Sequence, residues 1–278
     1  MELMTIVDVP SPGFAIEPQE KMLFVGSCFA ENIGRRFEEE KFRAVVNPYG
    51  VMYNPASILH TVERCGEAPG TAFITLGTNH VYRLKATGEI VDNCRKRPQA
   101  LFDEQELTVD ECAGYLSRAV DILVGRNAGV KVVLTVSPIR YAKYGYHGSR
   151  LSKAVLLLAA ECVVKRYGNC VYFPAYEIMN DELRDYRFHS PDMLHPSPQA
   201  VEYIWQRLHD VYLSDAARQF VKDWKPVKDA LGHKPFNPDS DEYRAFMDKT
   251  MLKVAELSRK YPGLELDEGI VEMKGRLR

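Results

Sequence analysis

Up to about residue 175 the chain alternates between short apolar runs and longer stretches with helical spacing. Residues 22–25, 44–46, 73–76, 131–136 and 170–173 are dominated by Val, Ile, Leu and Phe, each short enough for a strand. They lead into turn or polar residues: Gly26-Ser27, Asn47-Pro48-Tyr49-Gly50, Gly77-Thr78-Asn79-His80, Ser137-Pro138-Ile139-Arg140 and Pro174-Ala175-Tyr176-Glu177. After the first run, Phe29, Ile33 and Phe37 recur every fourth position, which predicts a helix from about 30 to 42. Continuous apolar strands alternating with helices imply a parallel sheet covered on both faces. The expected fold is α/β: a three-layer α/β/α sandwich around a mostly parallel five-stranded sheet, flavodoxin-like in winding.

Further elements follow from caps and breakers. Thr108 with Asp110 and Glu111 predicts a helix over 108–124. A second helix is expected over 151–167, capped by Ser152 and stopped by Gly168, and a third opens at Ser197-Pro198. Residues 81–84 and 89–92 flank Ala86-Thr87-Gly88 and read as an appended hairpin. Beyond about 215 the strand pattern ends. The proline-containing, charged stretch 222–239 reads as irregular, and 241–261 as an amphipathic helix with Phe236, Phe246 and Leu252 needing cover. Residues 1–215 are thus expected to form the α/β domain, and 216–278 a helical C-terminal extension packed on it.

Composition narrows the function classes. Of 278 residues, 46% are apolar and 27% charged, as in an ordinary globular protein, with a net charge of −2. That balance gives no reason to expect nucleic-acid binding, and short basic strings such as Arg95-Lys96-Arg97 read as solvated surface. No apolar run is long enough for a membrane span. The first twenty residues hold three prolines and acidic side chains without a signal-peptide core, so the expected location is cytoplasmic. Six cysteines at 28, 65, 94, 112, 162 and 170 lack zinc-like spacing and read as reduced thiols. No metal site and no cofactor is expected, and the oligomeric state is left open.

Parallel strands place their following loops along one edge of the sheet, where α/β folds hold their sites. Ser27, Gly50, Asn54, Asn79, His80, Ser137, Arg140 and Glu177 all fall there. Asp192-Met193-Leu194-His195, just before the Ser197-Pro198 helix start, lets a carboxylate curl back onto imidazole Nδ1 and leaves Nε2 to take a proton. A three-residue offset of this kind also arises by chance in a surface loop. Cys28 opens the first helix; its side chain is expected to point away from that of Ser27 and into the core. Ser27 also suits the helix N-cap.

The string Gly26-Ser27-Cys28-Phe29-Ala30 resembles the naming motif of the GSCFA-domain family, which looks like a branch of the SGNH/GDSL-type hydrolases. The resemblance runs from Phe24 to about Pro262. It includes Asn47-Pro48-Tyr49-Gly50-Val51-Met52-Tyr53-Asn54-Pro55, Asn93-Cys94-Arg95-Lys96, Thr135-Val136-Ser137-Pro138-Ile139-Arg140 and Asp192-Met193-Leu194-His195-Pro196-Ser197. By that resemblance Ser27 matches the nucleophile, and Asp192 and His195 the acid and base. The Ser27 and Gly50 N–H groups and the Asn79 amide match the oxyanion hole. Cys28, Asn54, His80, Ser137 and Arg140 are possible pocket residues. Two departures stand out: the wider clan reads Gly-Asp-Ser where this chain has Gly26-Ser27-Cys28, and His80 follows Asn79 where the clan often has an acid. The resemblance implies a serine esterase acting on a small-molecule or carbohydrate ester. An acyltransferase using the same residues, or a non-catalytic binding domain on the same scaffold, is left open by the sequence.

Overall fold

The computed structural model describes residues 4–94, 97–234, 236–237, 239–266 and 270; Arg95 and Lys96 of the basic string lie outside the described residues. β1 (Lys21–Gly26) leads into α1 (Cys28–Glu39) and β2 (Arg43–Val46), followed by α2 (Pro55–Arg64) and β3 (Thr71–Leu76). Strands β4 (His80–Leu84), β5 (Ile90–Val91) and β6 (Phe102–Glu106) precede α3 (Val109–Arg126) and β7 (Lys131–Val136). Then come α4 (Gly145–Arg166), β8 (Cys170–Tyr172), the short α5 (Ala175–Glu177), α6 (Pro198–Tyr212), α7 (Asp215–Leu231) and α8 (Asp241–Lys260).

The five expected strands form one parallel sheet in the order β2-β1-β3-β7-β8. Alternate side chains enter opposite faces, as the pleat requires. Leu23, Val25, Ile74, Val132 and Leu134 join the core beneath α2, α3 and α4. Met22, Phe24, Phe73 and Val133 join the core beneath α1, α6 and the start of α7. Phe24 and Phe73 are register partners on adjacent strands, and their rings stack 5.0 Å apart. From β1 the chain steps outward to β2, then returns past β1 to β3, β7 and β8. The winding reverses between β1 and β3, and that reversal opens a crevice outside their C-terminal ends.

Four expectations need correcting. Helix α4 begins at Gly145, so Ser152 is not its cap but an internal residue whose hydroxyl meets Thr78 and the Asn79 N–H. The hairpin of β4 and β5 is part of a three-stranded antiparallel sheet, order β5-β4-β6. The added strand, Phe102-Asp103-Glu104-Gln105-Glu106, is an edge strand too charged to show apolar alternation. The stretch after 222 is helical to Leu231 and carries Pro226 inside α7. In the extension, Phe236, Phe246 and Leu252 are exposed, while Thr250, Met251, Val254 and Leu257 form the buried face of α8.

The extension is fastened to the C-terminal end of α1. Trp224 Nε1 donates to the Glu39 carbonyl at 2.9 Å, and the buried Glu40 carboxylate pairs with Lys228 and Arg36. Phe220 and Ala217 of α7 enter the core beneath the sheet.

Candidate active site

The turn after β1 is built by a positive-φ glycine and a set of polar contacts. Gly26 has φ +140°, and a Cβ there would lie 2.1 Å from the Thr75 carbonyl oxygen, so only glycine fits. Its N–H donates to Asn47 Oδ1 at 2.9 Å. Ser27 caps α1: its Oγ accepts from the Phe29 N–H at 3.2 Å and lies 3.0 Å from Thr75 Oγ1. The Ser27 N–H is also committed, donating to Thr75 Oγ1 and to the Thr75 carbonyl. Ser27 is 0% exposed, and His195 is not among its bonded partners. Cys28, expected in the core, packs against the edge of the core beneath α1 but is partly exposed, its Sγ 3.8 Å from Tyr53 Oη.

The Asp192–His195 loop lies between α5 and α6. Its strands of backbone close on themselves through the Ser190 N–H to His195 O bond and the His189–Pro196 bridge. Met193 takes φ +58°, which turns the chain so that Asp192 faces back. Asp192 Oδ1 accepts from the Leu194 and His195 N–H groups at 2.9 and 3.0 Å, and Oδ2 lies 2.6 Å from His195 Nδ1. Those N–H donors, then the imidazole, hold the Asp192 carboxyl down at about 2. Nε2 of His195 has no bonded partner among the described residues. Arg140 hangs this loop on the end of β7: its N–H donates to the Leu194 carbonyl at 3.0 Å.

The expected oxyanion donors are engaged elsewhere. The Gly50 N–H closes a turn onto Asn47 O at 2.8 Å. Asn79 Nδ2 donates to the Leu107 carbonyl at 2.8 Å, and its buried Oδ1 meets no partner among the described residues. Asn54 Oδ1 caps α2 through the Ser57 N–H. Ser137 is buried, its Oγ accepting weakly from the Ile139 N–H. His80 stacks on Tyr144 with centroids 3.7 Å apart, and burial lowers its pKa. Glu177 accepts from the Tyr172 hydroxyl, its own pKa raised by burial.

Between these elements lies an aromatic cavity of about 220 Å³, lined in part by Tyr53, Asn54, His80, Tyr141 and Tyr144. Tyr53 and Tyr141 meet edge to face at 6.1 Å, so the loop beside Cys28 and the loop carrying Arg140 belong to one crevice. The Gly77 and Thr78 N–H groups both donate to the Tyr53 carbonyl, which fixes that loop on the end of β3. Burial and the neighbouring Cys28 push the Tyr53 phenol up to about 12.

Thr75, Tyr53, Tyr141 and Lys153 were not among the sequence candidates. For Lys153 a signal existed: Ser149, Ser152, Leu156, Ala159 and Val163 form the buried stripe of α4, and Lys153 falls within it. Its amine is fully enclosed and donates to the Gly77 carbonyl at 2.6 Å. Burial lowers its pKa to about 7.

The model of the GSCFA family matches residues 21–70 and 69–208, and that of the GSCFA domain protein, C-terminal domain, matches 224–278. The chain belongs to the GSCFA family. The first GSCFA match runs from β1 into α6, taking in the Gly26-Ser27-Cys28 turn and the Asp192–His195 loop; the second starts at Trp224, inside α7. No curated protein matches significantly. Solved structures that resemble this GSCFA chain include an acetylxylan esterase from Geobacillus stearothermophilus, 13% identical, with 72% of this chain and 98% of that one covered and a TM-score of 0.48. Another is described as a GDSL-like lipase from Parabacteroides merdae, 13% identical, covering 71% and 99%, TM-score 0.47. Neither lends a residue role to this chain. Among the described residues, no group of three His, Cys, Asp or Glu side chains is placed to hold a metal, and no helix is long and apolar enough to cross a membrane.

Proposed function

We propose that the protein is an acyl-ester hydrolase in which His195, oriented by Asp192, activates Cys28 as the nucleophile. The observation that carries the hydrolase reading is the Asp192–His195 pair at 2.6 Å, with Nε2 left unbonded in a half-exposed loop. A carboxylate on Nδ1 fixes the tautomer that makes Nε2 the base. The attacking role expected of Ser27 passes to its neighbour, because the Ser27 hydroxyl is sealed between Thr75 and the Phe29 N–H. The Cys28 thiol is partly exposed, and its Sγ lies 3.8 Å from the hydroxyl of Tyr53, which lines the aromatic cavity.

In the first step Cys28 Sγ bonds to the ester carbonyl carbon, and its proton passes to His195 Nε2. The tetrahedral oxyanion forms at the N-terminus of α1, where the helix dipole favours negative charge. The C–O bond then breaks, the alcohol leaves with the proton from His195, and a thioester remains on Cys28. Water, deprotonated by His195, adds to the thioester carbonyl and expels the thiol, giving the carboxylic acid and free enzyme. The aromatic cavity beside Tyr53 suits a small-molecule or carbohydrate ester. The test is mass spectrometry of the protein quenched during turnover of p-nitrophenyl acetate. An acetyl group on the peptide carrying Cys28, absent in His195→Ala, supports the reading; an unmodified Cys28 during turnover overturns it.

A further inference from the structure

A second cavity of about 180 Å³ adjoins the acid–base loop, and its charged lining is of one sign. Arg140, Arg150 and Lys153 line it together with Ser149, Tyr176 and Asn180; among the described residues no carboxylate does. Among the described residues, neither of these two guanidinium groups nor the Lys153 amine has an acidic partner. Among the described residues, the Arg140 side chain reaches the Met193 carbonyl at 3.5 Å and the face of Tyr186. Arg150 Nη1 touches the Tyr176 hydroxyl at 3.3 Å, and Lys153 the Gly77 carbonyl. Over the rim, an adjoining cavity adds Arg184 and one acid, Asp185, which is already paired with Arg187. Like-charged side chains gathered without counter-charges repel one another, and a buried amine without a carboxylate is costly. Such an arrangement is relieved by an anion, and paired guanidinium groups match planar oxyanions.

We infer that this cavity binds an oxyanion, a carboxylate or phosphate carried by the substrate, so that the ester taken by the enzyme is anionic. The inference rests on the hydrolase reading for its substrate and on the cavity alone for its anion. The cavity is in place for this role. Arg140 holds the His195 loop through its backbone N–H and lines the cavity with its side chain, so a bound anion and the base share one residue as support. The neighbouring Tyr141, in turn, lines the aromatic cavity beside Tyr53. An ester whose acyl or alcohol part ends in an anion is thereby aligned along the sheet edge.

Two measurements on the full chain separate this inference from the hydrolase reading. Calorimetry at pH 7 follows binding of inorganic phosphate and of succinate to the wild type, to Arg150→Gln and to the distant surface variant Arg118→Gln. Kinetics compare a succinyl hemiester of p-nitrophenol with the neutral butyrate ester. Binding of at least one oxyanion, weakened about tenfold or more in Arg150→Gln and unchanged in Arg118→Gln, is the expected result. Phosphate alone or succinate alone identifies which anion the substrate carries. The hemiester should show the higher kcat/KM, with the preference lost through KM in Arg150→Gln. Absence of binding by either oxyanion, or equal weakening in Arg118→Gln, overturns the inference even if both esters are turned over. Oxyanion binding as expected with neither ester cleaved leaves the anion site standing and removes the hydrolase.

Discussion

The hydroxyl oxygens of Ser27 and Thr75 lie 3.0 Å apart across adjacent strands β1 and β3, and this contact turns the serine inward. Thr75 serves Ser27 three times over, through its side chain to both Oγ and N–H and through its carbonyl. A serine held this way is a helix cap, and the reading proposed above gives the attack to the thiol one residue later.

Cys28→Ala should lower kcat by about 10³-fold or more, and Ser27→Ala by less than tenfold. The serine variant should instead lose roughly 1–2 kcal/mol of stability with its cap. Turnover and urea denaturation on the two variants decide the matter. If Ser27→Ala is dead while Cys28→Ala turns over, the hydroxyl is the nucleophile and must leave Thr75 to act.

Asp192→Asn should cost about 10²–10⁴ in kcat with little change in fold, because the amide offers Nδ1 the wrong partner. An NMR titration should find the Asp192 carboxyl midpoint near 2. Its pKa is depressed in the fold, so its contribution to stability is complete above the ordinary aspartate value and is lost only as pH falls towards 2. A midpoint at the ordinary value would show that the Leu194 and His195 N–H bonds are not made in solution.

Lys153 works in the opposite chemical sense. Its folded-state pKa, near 7, lies below the ordinary lysine value, so the unfolded chain binds the extra proton between those limits. Its contribution to stability therefore rises from about pH 7 towards pH 10 and is least below 7. Lys153→Met should be more stable than wild type at pH 6, by about 2–4 kcal/mol, with the gap closing by pH 9.5. Chemical denaturation at the two pH values reads this directly; a gap independent of pH would mean the amine stays charged throughout.

Gly26→Ala should destabilise the fold by about 3 kcal/mol or more, since the methyl group meets the Thr75 carbonyl and φ +140° strains any side chain. A melting temperature within a degree or two of wild type would show that the turn relaxes.

The sheet was legible because each of its strands is a compact apolar run. Helix caps were legible where the capping residue stands just ahead of the helix, as with Thr108 and Ser197. Ser152 misled because a serine inside a helix has the same sequence signature as one ahead of it. Strand β6 was hidden because Asp103, Glu104 and Glu106 sit at a sheet edge, where pairing is set by the backbone. The Asp192–His195 pair is local, three residues apart, so spacing could suggest it, and the family resemblance is what singled it out. That the Ser27 hydroxyl is buried could not be read from spacing, because Thr75, 48 positions away, is what holds it. The cationic cavity was invisible for the same reason: Arg140 and Arg150 converge only through the fold of the loop between β7 and α4.

The clamp of Trp224 and Lys228 on the last turn of α1 ties the extension to the helix that begins at Cys28. Twelve residues at about 1.5 Å each make that helix a rod some 18 Å long, held at one end by a serine cap and at the other by the C-terminal segment. The alignment of the thiol is therefore a property of both ends of the rod. On the reading proposed above, the atom that attacks rides on a rod whose far end is braced by the C-terminal segment.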